Sequence, residues 1–163
     1  MMRGLVLGFA VAALALPAAA QDAASIDGTW RLVETRQVMA DGSARPDPDL
    51  GPRPQGYMMY DAAAGRVCTF FNDTTRPKWA QARPSDSEVR LMWDKTVVYC
   101  ARYRVDTARK VIVFDMEITA SPGAAGTSRE RRFEVSGDRL TLYPNPLPAG
   151  VKAWSIHLER VRR

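Results

Sequence analysis

VVYCARYRVDTARKVIVFDMEI, residues 97–118, decides the fold class. Val97, Tyr99, Ala101, Tyr103 and Val105 alternate with Val98, Cys100, Arg102 and Arg104. After a short polar turn, Ile112, Phe114, Met116 and Ile118 alternate with Val111, Val113, Asp115 and Glu117. A period of two belongs to strands with one face against a core, and two such runs across a tight turn make an antiparallel hairpin.

The same rhythm extends in both directions. Upstream it marks strands at 29–38, where Trp30 and Leu32 oppose Arg31 and Val33, at 57–61 and, after an AAAG turn, at 66–72. Downstream it marks 129–135, then 139–143 beyond a Ser-Gly-Asp turn, and finally 153–161, with Trp154, Ile156 and Leu158 on one face. The stretch 40–56, ADGSARPDPDLGPRPQG, has the Pro, Gly and Asp content of a surface loop. One helix is predicted at 86–95: Ser85 and Glu88 have capping-box spacing, and Val89, Met92 and Trp93 form an apolar stripe expected to pack on the core as a plug. About eight short antiparallel strands and one helix imply a closed barrel or a sandwich.

The chain opens with MMRGLVLGFAVAALALPAAA. Arg3, the apolar run 5–16, Pro17 and Ala18-Ala19-Ala20 form a secretory signal, with cleavage expected before Gln21. The run is too short for a membrane span, which takes about 20 apolar residues. One domain is therefore expected over 21–163, in the periplasm or outside the cell. The formal charge of +5 is spread along the chain, apart from Arg129, Arg131 and Arg132 and the terminal Arg160, Arg162 and Arg163. Export argues against nucleic acid as a partner.

An oxidising compartment makes Cys68 and Cys100 a candidate disulfide, the alternative being two thiols. They lie in the strands flanking the helix, and Cys100 is out of phase with Tyr99 and Tyr103, so the bridge belongs on the outer face. With one histidine and no Cys-x-x-Cys, no His/Cys zinc cage can be assembled, and no cofactor is expected. His157 alternates against Ile156 and Leu158 and should face outward. No Gly-x-Ser-x-Gly elbow supports acyl transfer, and no catalytic residues are assigned.

Several segments, in order, resemble the bacterial lipocalin-like domain family: GTWRLV (28–33), GPRPQGYMMY (51–60), RPKWA (76–80), YCARYRVD (99–106), GDRLTL (137–142) and HLERV (157–161). The resemblance covers residues 27–161. It implies an all-β, eight-stranded, antiparallel up-and-down barrel with a central cavity. It also implies that Trp30 closes one end beneath an arginine near the last strand, Arg160 or Arg162.

Aromatic side chains available to line such a cavity are Tyr57, Tyr60, Phe71, Trp93, Tyr99, Tyr103, Phe114 and Trp154. They read as core filling or as the wall of a small-ligand pocket. Arg131 shares phase with Phe133 and Val135, and Glu34 with Trp30 and Leu32. The two charges pair across the interior, or Arg131 awaits an anionic ligand group, or both sit in water at the rim. The favoured function is binding a small hydrophobic or amphipathic molecule. The alternatives are a ligand-free envelope module and a barrel cyclase or isomerase.

Overall fold

The computed structural model describes residues 25–162; the expected leader and its cleavage point lie outside them. Strands β1 (Gly28–Met39), β2 (Ala44–Pro46), β3 (Pro54–Asp61) and β4 (Arg66–Asp73) precede helix α1 (Asp86–Asp94). Strands β5 (Thr96–Asp106), β6 (Val111–Thr119), β7 (Ser128–Ser136), β8 (Arg139–Pro144) and β9 (Val151–Arg160) follow it. Every neighbour is antiparallel, in the order β2-β1-β3-β4-β5-β6-β7-β8-β9, and β1 also pairs with β9. That second pairing closes the sheet. The wall of the barrel has eight strands, because β2 is a short flap held on Arg36–Val38 of β1. Closure satisfies the backbone donors and acceptors that an open sheet leaves at its edges.

The flap arises inside the stretch read from sequence as loop. Asp41 accepts hydrogen bonds from the Ser43 N–H and hydroxyl, and Gly42 takes a φ of 85°, which together turn the chain back on β1. Beyond the flap, Leu50 enters the core and is 3 % exposed.

Two bulges change which residues face inward. Pairing of β1 with β9 slips between Leu32 and Glu34. Trp30 and Leu32 point in below the slip, Thr35 and Gln37 above it, and Glu34 is turned outward. Glu34 therefore does not share the inward phase of Trp30 and Leu32, and no Glu34–Arg131 pair crosses the interior. On β6 a slip opposite Cys100 and Ala101 sends Ile118 outside, although Ile112, Phe114 and Met116 stay buried.

Helix α1 has its capping box: Ser85 Oγ accepts from the Glu88 N–H, and the Glu88 carboxylate accepts from the Ser85 N–H. The expected packing is absent. The helix has no buried residue, and Val89, Met92 and Trp93 are all exposed. The stripe faces solvent beside Trp79, and the core is completed by Leu50 instead.

Cys68 and Cys100 stand directly opposite each other on β4 and β5 and are joined by a disulfide on the outer face. Among the described residues no helix is long and apolar enough to cross a membrane.

Candidate functional site

The two ends of the barrel differ in chemistry. At the lower end, where β1 begins and β9 finishes, Trp30 is fully buried and donates its indole N–H to the Ile26 carbonyl at 2.7 Å. The Arg160 guanidinium carbon lies 4.1 Å from the Trp30 ring centroid, and its N–H groups donate to the carbonyls of Ser25 and Asp27. Arg160 rather than Arg162 covers the tryptophan; Arg162 is exposed and bound to Asp138. Leu32, Val67, Ile112, Leu140 and Leu158 join Trp30 in a packed apolar cluster.

The wall contributed by β3, β5, β6 and β7 is different. Tyr60, Tyr99, Tyr103 and Phe114 are buried there. The rings of Tyr60 and Tyr103 meet edge to face at 5.0 Å, and Tyr99 and Phe114 at 6.4 Å. Half-buried Arg131, from β7, places its guanidinium carbon 5.9 Å from the Tyr99 centroid and 5.5 Å from that of Phe114. The Tyr60 hydroxyl lies within electrostatic reach of Tyr99, Arg131 and Tyr103. Burial, reinforced by Tyr99 and opposed by Arg131, pushes its pKa well above the ordinary phenol value. Burial, with Asp27 and Asp61 nearby, pushes Tyr103 up to about 12. Both phenols stay protonated at neutral pH and are donors.

These donors lack partners. The hydroxyls of Tyr60, Tyr99, Tyr103, Thr35 and Thr69 and the indole Nε1 of Trp154 are all buried, and none finds a hydrogen-bond partner among the described residues. Buried polar atoms are nearly always paired in folded proteins, so this many orphans mark the barrel interior as unlike an ordinary core.

A pocket of about 540 Å³ opens between the ends of β7, β8 and β9. Arg131, Arg129, Ser128, Pro144, Pro146 and Trp154 are among its walls. Arg131 thus touches both the aromatic interior and the mouth. A larger pocket, about 630 Å³, lies outside the barrel between α1 and the segment 72–79.

Of the residues expected from sequence to line a cavity, Tyr60, Phe71, Tyr99, Tyr103 and Phe114 face the interior, and Arg131 and Trp154 reach it from the rim. Tyr57 and Trp93 do not. Tyr57 is 48 % exposed on the outer face of β3, three residues from inward Tyr60, and Trp93 is 48 % exposed on α1. Thr35, Gln37 and Thr69 are buried polar residues that the sequence reading missed. Thr69 was legible, since it alternates with Val67 and Phe71; Thr35 and Gln37 were hidden by the bulge. His157 is outward and occupied, 2.9 Å from Ser155 Oγ through Nε2 and 3.4 Å from Thr141 Oγ1 through Nδ1.

Residues 27–159 match a family described as a lipocalin-like domain. No curated protein matches the chain.

Proposed function

The chain belongs to the lipocalin-like domain family, and from that membership we propose that it binds a small, mainly apolar molecule with a polar end inside its barrel. The observation that carries the reading is the set of buried, unpartnered donors on Tyr60, Tyr99, Tyr103 and Trp154. Leaving a buried donor unpaired costs about 1–3 kcal/mol, and a ligand oxygen that accepts from it recovers that cost. The surrounding rings supply apolar surface worth about 25 cal/mol per Å² buried, before the costs of association. An eight-stranded barrel is about wide enough for one small ligand. We place the protein outside the cytoplasm, because a Cys68–Cys100 bridge suits an oxidising compartment.

The test is native mass spectrometry of protein recovered from its own cell envelope, followed by titration with 1-aminoanthracene and displacement by lipophilic competitors. A co-purified small molecule, or saturable displacement at micromolar protein, is the expected result. No bound mass and no saturable probe binding would refute the reading. The second reading, a module that works through its outer wall, is favoured by one observation. Tyr57, Met59, Phe70 and Ile118 form an exposed apolar band across β3, β4 and β6.

A further inference from the structure

Arg131 is set apart by its surroundings. Among the described residues three arginines are half-buried: Arg76, Arg131 and Arg160. Arg76 donates to the Asp73 carbonyl and to Thr96 Oγ1. Arg160 donates to the carbonyls of Ser25 and Asp27. On the outer wall, exposed Arg31, Arg66, Arg102, Arg104 and Arg109 each pair with a carboxylate. Arg131 has neither kind of partner among the described residues. Its guanidinium lies against the faces of Phe114 and Tyr99.

Neither Glu34 nor Glu130 serves as its partner. The bulge after Leu32 turns Glu34 outward. Glu130, the residue before Arg131, holds Arg109 on the outer face through two hydrogen bonds, at 3.0 and 2.9 Å. A partly desolvated cation needs an anion or several oxygen acceptors. Ring faces supply only part of that stabilisation.

Resting on the reading of the barrel as a binding site, we infer that the ligand's polar end is a carboxylate, received by Arg131 with the Trp154 indole N–H as a second donor. A planar guanidinium offers two parallel N–H groups that match the two oxygens of a carboxylate. Trp154 Nε1 is buried and unpartnered, and Trp154 and Arg131 line the same mouth pocket. Arg129, two residues along β7 and in the same pocket, adds a second positive charge at the entrance, where the carboxylate of Glu130 is already held by Arg109. The buried, unpartnered hydroxyl of Tyr60, kept protonated by burial, can donate to a ligand oxygen. The ligand class is therefore a small organic acid whose apolar body, aliphatic or aromatic, lies against Phe114, Tyr99 and Trp154.

The experiment compares straight-chain carboxylates with the matching alcohols, and aromatic acids with their neutral amides, by calorimetry on the full mature chain. The wild type should bind the acid at least tenfold more tightly than its neutral counterpart, since a hydrogen bond to a charged group is worth roughly tenfold or more. Arg131→Met should bring that ratio close to one and leave the neutral compound's affinity in place. Trp154→Phe, which keeps an aromatic wall and removes one donor, should lower acid affinity severalfold; it decides the matter if Arg131→Met does not fold. Equal binding of acid and neutral compound by the wild type overturns the carboxylate inference and leaves the barrel-binding reading intact. An acid preference that survives both substitutions overturns it too. If no acid, alcohol or amide binds, the barrel-binding reading itself has failed.

Discussion

Trp30 and Arg160 act as one unit at the lower end. The indole is fully buried, its N–H is satisfied by Ile26, and the guanidinium above it holds two carbonyls. Trp30→Ala removes a large core side chain and should cost about 3–5 kcal/mol. Arg160→Met keeps most of the apolar stem but loses the ring contact and both hydrogen bonds, for about 1–2 kcal/mol. Urea denaturation of the two variants, with unchanged m-values, checks the order. The tyrosines give a second expectation. Tyr103 titrates at about 12 in the fold against 10.0 for a free phenol, and Tyr60 is also raised. A raised folded pKa means the native state holds the proton more tightly than the unfolded state. That contribution to stability is fully present below pH 10 and is lost as pH climbs through about 12. Melting temperature should fall across that window, and the part of the tyrosinate absorbance that Tyr60→Phe and Tyr103→Phe remove should rise in step with unfolding. At this scale the sequence was a fair guide where strand phase was regular: Tyr60, Tyr99, Tyr103 and Arg131 all face inward. It was misread at Tyr57, because residues three apart on a strand take opposite faces and Tyr57 and Tyr60 cannot both line a cavity.

The elements show where period-two reasoning stops working. A bulge inserts one residue and exchanges the faces beyond it. Neither Val33 nor Glu117, which sit at the two slips, carries a glycine or proline to announce it. Glu34 and Ile118 were therefore placed on the wrong faces by sequence alone, and buried Thr35 and Gln37 went unread. Helix α1 illustrates a different limit. Its capping box is a local signal and was legible, whereas the partner of an apolar stripe is a tertiary fact. In β3, Gly56 is required by contact: a Cβ there would lie 1.9 Å from the Phe70 carbonyl oxygen across the β3–β4 pair. That pair and its neighbour β5 are also tied covalently. The Cys68–Cys100 bridge links residues 32 apart, and a loop of that size stabilises by about 3–4 kcal/mol in the chain-entropy model. A Cys68→Ser, Cys100→Ser double variant should lose about that much in equilibrium denaturation. Its m-value should change as well, because the unfolded chain is released.

The whole molecule is an eight-stranded meander in which nearly every pairing joins consecutive strands. Order and number of strands were legible because turns fall between alternating runs; closure was implied by family resemblance and was not deducible from the runs themselves. The exception to local pairing is the seam between β1 and β9, where Arg31 and Glu159 form an ion pair across 128 residues of sequence. Whether a chain leaves a ribosome or a translocation pore, its N-terminus comes first. Strand β1, with Trp30 on it, therefore waits unpaired along one edge until β9 has emerged. Contacts this distant in sequence are the slow ones to form, and an unpaired strand edge invites other chains meanwhile. The seam sets the order of its birth: its first-made strand finds its last partner only once β9 has been made.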